Sequence, residues 1–165
     1  MAGRSGKWFL GVVFALLWVG GGPSWGEEAR LAINGYDPVA YFTDGRPTPG
    51  QSEFEYKWHD ARWRFSSPAH RDAFASNPDQ YAPQFDGFCA MGVAWGKGNP
   101  HKDTVDPEAW AIVDGKLYLT HDREALDKLR EKTAAYIQDA NENWKKVKDQ
   151  SAIYDGYPNL KPAAK

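Results

Sequence analysis

The stretch Trp110-Ala111-Ile112-Val113, Asp114-Gly115, Lys116-Leu117-Tyr118-Leu119 constrains the fold more than any other segment. Asp-Gly between two β-favouring runs suits a type I′ turn, which needs positive φ at both central positions, so a tight antiparallel hairpin is predicted here. A second run upstream has the same character. Phe54, Tyr56 and Trp58 alternate with Glu53, Glu55 and Lys57, and beyond a turn at His59-Asp60, Trp63 and Phe65 alternate with Arg62 and Arg64. A period of two places the aromatic rings on one face and the charges on the other. Glu53 and Glu55 are then set to pair across the strands with Arg62 and Arg64. The chain holds eight each of Trp, Tyr and Phe, and this excess is chiefly how a short, loop-rich chain fills its interior.

Helices are expected between and after the hairpins. Asp37 can cap a short helix opened by Pro38 and carrying Val39 to Phe42. Ser67-Pro68 starts a second, which stops at Asn77-Pro78 with one further turn to Tyr81. Residues 99–107 read as a polar loop. Asp122 caps a long helix in which Leu126, Leu129, Thr133, Tyr136/Ile137, Ala140, Trp144 and Val147 recur at spacings of three and four. The expected architecture is α+β: a small single domain over residues 30–148 with two β-hairpins, short helices and a long C-terminal amphipathic helix. Residues 149–165 are expected to be a solvated tail.

The first 26 residues have the anatomy of a signal peptide. Arg4 and Lys7 precede the apolar run Trp8–Val19, then Gly20-Gly21-Gly22-Pro23, with small residues at Ser24 and Gly26 before Glu27. Cleavage is predicted after Gly26, which places the mature protein in the periplasm or outside the cell with no membrane association; retention as an anchor is the alternative. A formal net charge of −2 without clustered Lys and Arg argues against nucleic-acid binding. A single cysteine excludes a disulfide scaffold and any CxxC pair.

That cysteine, Cys89, lies in the glycine-rich run Asp86-Gly87-Phe88-Cys89-Ala90-Met91-Gly92-Val93. It is either a thiolate nucleophile, redox centre or soft-metal ligand, or a small buried hydrophobe. If the segment is extended, Met91 projects from the same face and a thiolate–thioether pair suits copper(I). His101, in the loop that follows, is the histidine best able to fold back as a third ligand. His59, His70 and His121 read as solvated positions. No GxSxG elbow or phosphate-cradling loop occurs, so binding is expected before catalysis. A catalytic arrangement would use Cys89 with His101 as base and Asp103 or Asp106 as its orienter. Tyr36, Tyr41 and Trp95, with Trp58, Trp63 and Trp110, could line a ligand pocket or fill the core.

Several motifs together carry a family resemblance. They are Gly35-Tyr36-Asp37-Pro38-Val39-Ala40-Tyr41-Phe42, Phe65-Ser66-Ser67, Asn77-Pro78, Tyr81-Ala82-Pro83-Gln84, Gly87-Phe88-Cys89-Ala90, Gly115-Lys116-Leu117-Tyr118-Leu119 and Asn143-Trp144. From about Asn34 to Trp144 the chain resembles the exported YHS domain-containing proteins. That resemblance implies a hairpin-plus-helix module and a metal-associated, copper-related role, with Cys89 as a chemically used chalcogen position. Three functions are therefore expected to compete: soft-metal or small-ligand binding around Cys89, thiol-dependent redox chemistry at Cys89, and a non-catalytic interaction module.

Overall fold

The structure is a computed structural model that describes residues 30–59, 61–96 and 105–148. The signal segment, His101, Asp103 and the tail from residue 149 lie outside the described residues.

The first layer is a three-stranded sheet. β1 (Arg30–Leu31) runs parallel to β3 (Ala61–Phe65), and β2 (Gln51–Trp58) pairs with β3 antiparallel, giving the order β1-β3-β2. The alternation appears in β3, where Ala61, Trp63 and Phe65 are buried; Glu55 lies between Arg62 and Arg64 at 3.3 and 2.8 Å as expected, whereas Glu53 is exposed at the irregular start of β2 and accepts from the Ser52 hydroxyl at 3.2 Å. The register slips between Gln51 and Glu55, and here Gly50 passes so close to Arg64 that a Cβ would sit 2.5 Å from its carbonyl carbon. Only glycine lets the two backbones approach this closely.

Helix α1 (Ala40–Thr43) precedes the sheet's hairpin, and α2 (Pro68–Ser76) and α3 (Pro78–Tyr81) follow it. Ser67 caps α2 by accepting from the His70 amide at 3.2 Å. The helix docks through Phe74, which is fully buried and meets the rings of Tyr56, Trp58, Trp63 and Phe65 at centroid distances of 5.2 to 6.2 Å. Edge-on and tilted geometries of this kind add to the burial energy of the rings.

The second sheet is the hairpin of β4 (Asp106–Val113) and β5 (Lys116–Thr120). Asp114 (φ 51°) and Gly115 (φ 72°) both adopt the left-handed conformation that the type I′ turn demands. β4 begins earlier than its residue pattern suggests, taking in Asp106 and Pro107. Two long-range bonds hold this end of the strand: Asn34 Nδ2 donates to the Val105 carbonyl at 3.0 Å, and the Tyr41 hydroxyl to that of Pro107 at 3.0 Å.

One expectation fails. The apolar stripe after Asp122 is not one long helix but two, α5 (Arg123–Glu131) and α6 (Thr133–Val147), broken at Lys132 (φ −144°, ψ 51°). The stripe serves two partners in different directions. Leu126 and Leu129 are buried where α5 meets the second sheet and α4 (Ala90–Ala94), whereas Trp144 of α6 packs edge-on against Phe85 and tilted against Phe88. A straight rod could not present both surfaces, so packing overrides the helical periodicity. No described helix is long and apolar enough to cross a membrane.

Candidate functional site

Cys89 enters the interior through a strained turn. Phe85, Asp86 and Gly87 are all left-handed, with φ of 59°, 52° and 80°, a conformation uncommon for Asp and rarer for an aromatic residue. The turn is tied to the second sheet by the Gln84 amide, which donates to the Leu117 carbonyl at 2.8 Å. It delivers Phe88 in extended geometry and Cys89 as the N-cap residue of α4, where the Cys89 carbonyl accepts from the Val93 amide at 3.0 Å. The other end of α4 is held from a distance: Asn143 Nδ2 of α6 lies 3.2 and 2.9 Å from the carbonyls of Val93 and Ala94.

Cys89 is 2 % exposed, and its Sγ lies 3.4 Å from Nδ1 of His121. His121 follows the last residue of β5. Its Nε2 is 3.0 Å from Oδ2 of Asp122, and the other oxygen of that carboxylate, Oδ1, caps α5 by accepting from the Ala125 amide at 2.7 Å. One aspartate thus fixes a helix start and an imidazole together. Thr120 braces the junction, its hydroxyl 3.1 Å from the Ala109 carbonyl and 2.8 Å from that of Asp122. The side chains of His121 and Asp122 are 32 % and 48 % exposed. The order is thiol, imidazole, carboxylate, running from the interior to water. The hydrogen-bond pattern assigns the imidazole proton to Nε2, facing the carboxylate, and leaves Nδ1 to accept from the thiol. Such an arrangement can withdraw the thiol proton and hold the resulting imidazolium.

The sequence reading placed other residues here. Met91 is fully buried in α4. Residues two apart in a helix do not face one another, so the extended backbone that a Cys89–Met91 pair requires is absent. His101 lies outside the described residues. Among the described residues no group of three His, Cys, Asp or Glu side chains is assembled to hold a metal ion. Cys89 and His121 bring one sulfur and one nitrogen donor together.

The candidate pocket residues are dispersed. Tyr41 is buried edge-on against Trp110, at a centroid distance of 5.2 Å, and donates to Pro107. Burial, with the nearby Glu108 carboxylate next in weight, holds its hydroxyl far above the usual tyrosine range and so keeps it a donor. Tyr36 bridges to Pro49, and Trp95 is 46 % exposed at the end of α4. These are structural and surface positions.

His121, expected from the sequence to be solvated, is instead the partner of the thiol. Its pairing with Cys89 spans 32 positions, and the only local signal was a His-Asp dipeptide where a strand meets a capped helix. His70, likewise expected at the solvated surface, is also partnered. Its Nδ1 lies 2.6 Å from Oδ2 of Asp37, a carboxylate with no exposed surface that also accepts from the amides of Val39, Ala40 and Ser66 and from the Ser66 hydroxyl. Asp37 does cap the first helix as expected, and its second oxygen ties that cap to β3 and α2.

Searches of family models, curated proteins and solved structures found no match to this chain.

Proposed function

We propose that this is a thiol-dependent redox protein whose reacting atom is the Cys89 sulfur. The observation that carries this reading is the Cys89–His121–Asp122 chain, with contacts of 3.4 and 3.0 Å. His121 takes the thiol proton, and Asp122 orients the ring and stabilises its charged form. The sulfur is almost fully covered, so its substrate is a small electrophile, hydrogen peroxide being the simplest. The thiolate attacks one peroxide oxygen; an S–O bond forms as the O–O bond breaks, and the departing hydroxide takes the imidazolium proton and leaves as water. Cys89 becomes a sulfenic acid. With one cysteine in the chain there is no internal partner to resolve it. Reduction requires two equivalents of a small external thiol, the first forming a mixed disulfide with loss of water and the second releasing Cys89 and a disulfide product. The motif resemblance to exported YHS proteins, with its chalcogen position at Cys89, supports the same reading.

The test is the rate of sulfenic acid formation with hydrogen peroxide, trapped by dimedone and read by intact mass, as a function of pH. Wild type should react at pH values below the ordinary thiol range near ~8.5, and His121→Ala should lose that low-pH limb. Equal rates for both proteins overturn the proposal. Tight copper(I) binding that requires Cys89 and His121, together with a sulfur inert to peroxide, would transfer the site to the soft-metal reading.

A further inference from the structure

The backbone of this chain repeats itself. The hairpin β4–β5 reproduces β2–β3 at a spacing of 55 residues. Gln51 pairs with Phe65 and Asp106 with Thr120; both ladders then slip and resume at Glu55–Arg64 and Trp110–Leu119. The helices that follow match as well. α2 and α5 have nine residues each and are capped by Ser67 and Asp122, which accept from the amide three positions on. They end at Asn77 (φ −152°, ψ 74°) and Lys132 (φ −144°, ψ 51°), and a new helix starts at the next residue.

Ahead of each hairpin lies the same turn. Ile33-Asn34-Gly35 has φ of 38°, 54° and 80°, and Phe85-Asp86-Gly87 has 59°, 52° and 80°. Runs of left-handed residues are uncommon, and both of these lead to an extended aromatic residue, Tyr36 (φ −77°, ψ 156°) and Phe88 (φ −76°, ψ 157°). The next residue is Asp37 in the first unit and Cys89 in the second. Each precedes a short helix, and each meets the residue that follows its own hairpin, Ser66 or His121.

The two positions are therefore counterparts with different side chains. Asp37 divides its carboxylate between two sets of donors. Oδ1 accepts from the amides of Val39 and Ala40 at 2.9 and 3.3 Å; Oδ2 accepts from the Ser66 amide and hydroxyl at 2.8 and 2.7 Å and lies 2.6 Å from His70 Nδ1. Around Cys89 the corresponding groups are the amides of Met91 and Gly92 on one side and the amide and imidazole of His121 on the other, with Ala125 in the place of His70. A thiol has one heavy atom to offer both sets, and Cys89 makes no cap bond through its side chain to α4. A cysteine sulfinate has two oxygens and one negative charge on a methylene, as the aspartate carboxylate does.

We propose that Cys89 is oxidised to a sulfinate, which the protein holds as it holds the carboxylate of Asp37. This inference rests on the peroxide chemistry proposed above and supplies its end state. A second hydrogen peroxide meets the sulfenic acid before a thiol does. The sulfur attacks one peroxide oxygen; an S–O bond forms as the O–O bond breaks, and the departing hydroxide takes a proton from a sulfur-bound hydroxyl and leaves as water. Sulfur loses the two electrons that peroxide gains. The remaining acid proton passes to His121, whose imidazolium donates through Nδ1 to one sulfinate oxygen and through Nε2 to Asp122. The other oxygen faces the amides of Met91 and Gly92. Simple thiols do not return a sulfinate to the thiol, so excess peroxide leaves a lasting mark on a fold that is tightened rather than broken.

The test treats the full chain with excess hydrogen peroxide in the absence of thiol. Intact and peptide mass spectra count the oxygens on Cys89, and thermal melting follows the fold. A product with two oxygens on Cys89 should accumulate rather than pass on to the three-oxygen sulfonic acid, and should melt about 4 °C or more above the reduced protein. Cys89→Asp supplies the two oxygens without oxidation; it should melt above Cys89→Ser, and adding His121→Ala should erase most of that gain. The proposal is overturned if Cys89→Asp melts below Cys89→Ser, or if wild type runs through to the sulfonic acid or unfolds as the second oxygen is added. Those results leave the redox reading in place as long as dimedone traps the sulfenic acid. Absence of any dimedone adduct removes both.

Discussion

Among the described residues two imidazole–carboxylate pairs stand out, and their burial is inverted. At Asp37–His70 the carboxylate is wholly buried and the chain ends outward, at the exposed hydroxyl of Thr43, 3.3 Å from His70 Nε2. At Cys89–His121–Asp122 the sulfur is buried and the carboxylate faces water. The first pair has the connectivity of a catalytic relay but the character of a fastener. Its carboxylate accepts five bonds that tie the start of α1 to α2 and to Ser66, the residue that follows β3. The second has a polarisable nucleophile at its inner end. The difference teaches that the location of the buried member, rather than the list of residues, separates a structural pair from a chemical one.

This contrast can be broken at its strongest point first. Asp37→Ala removes a buried acceptor of five bonds and should cost about 3–5 kcal/mol, as for a broken buried polar network, measured by urea unfolding. If the variant loses less than ~1 kcal/mol, Asp37 is no fastener. Phe74→Ala sharpens the comparison by removing the ring hub beside it; a loss of ~3–5 kcal/mol is expected, with Cys89 reactivity unchanged in the folded protein. Cys89→Ala should abolish peroxide consumption and cost only ~1–2 kcal/mol, through lost packing and a modest hydrogen bond. The smallest stability effect belongs to Asp122→Asn. Asparagine caps a helix as well as aspartate does, so the melting temperature should stay within the equivalent of ~0.5 kcal/mol. Its amide can no longer accept through both oxygens and favours the wrong imidazole orientation, so the reaction rate should fall about ten- to hundredfold. A rate loss without a stability loss marks chemistry; the reverse result would make the two pairs alike.

Local patterns carried much of the fold. Asp114-Gly115, Ser67-Pro68 and the alternating Trp63 and Phe65 each encode their geometry within a few residues, and each forms as its spacing indicates. What failed depended on distant partners. Nothing near Lys132 signals a break, because the break follows from where α4 and the second sheet lie. β1 consists of two residues whose pairing is decided 31 positions away, at Ala61 and Arg62. Of the candidate site only Cys89 was legible, since a sole cysteine between glycines is conspicuous in any sequence. His121 was not, because a histidine before a capped helix is common and its function lies in an approach between β5 and α4 that no spacing rule describes. Asp122 was seen only as a cap, which is half of what it does.

The clasp that Asn143 places on the end of α4 sets an order of events on the ribosome. The residue that fastens the thiol's helix is made 50 positions after Val93, the first carbonyl it holds. A nascent chain therefore carries a finished sulfur and an unfinished enclosure, and Cys89 is open to oxidants until α6 has emerged and docked. Chains cut short before Asn143 should retain the first sheet and its hairpin yet present a thiol as vulnerable as that of a peptide.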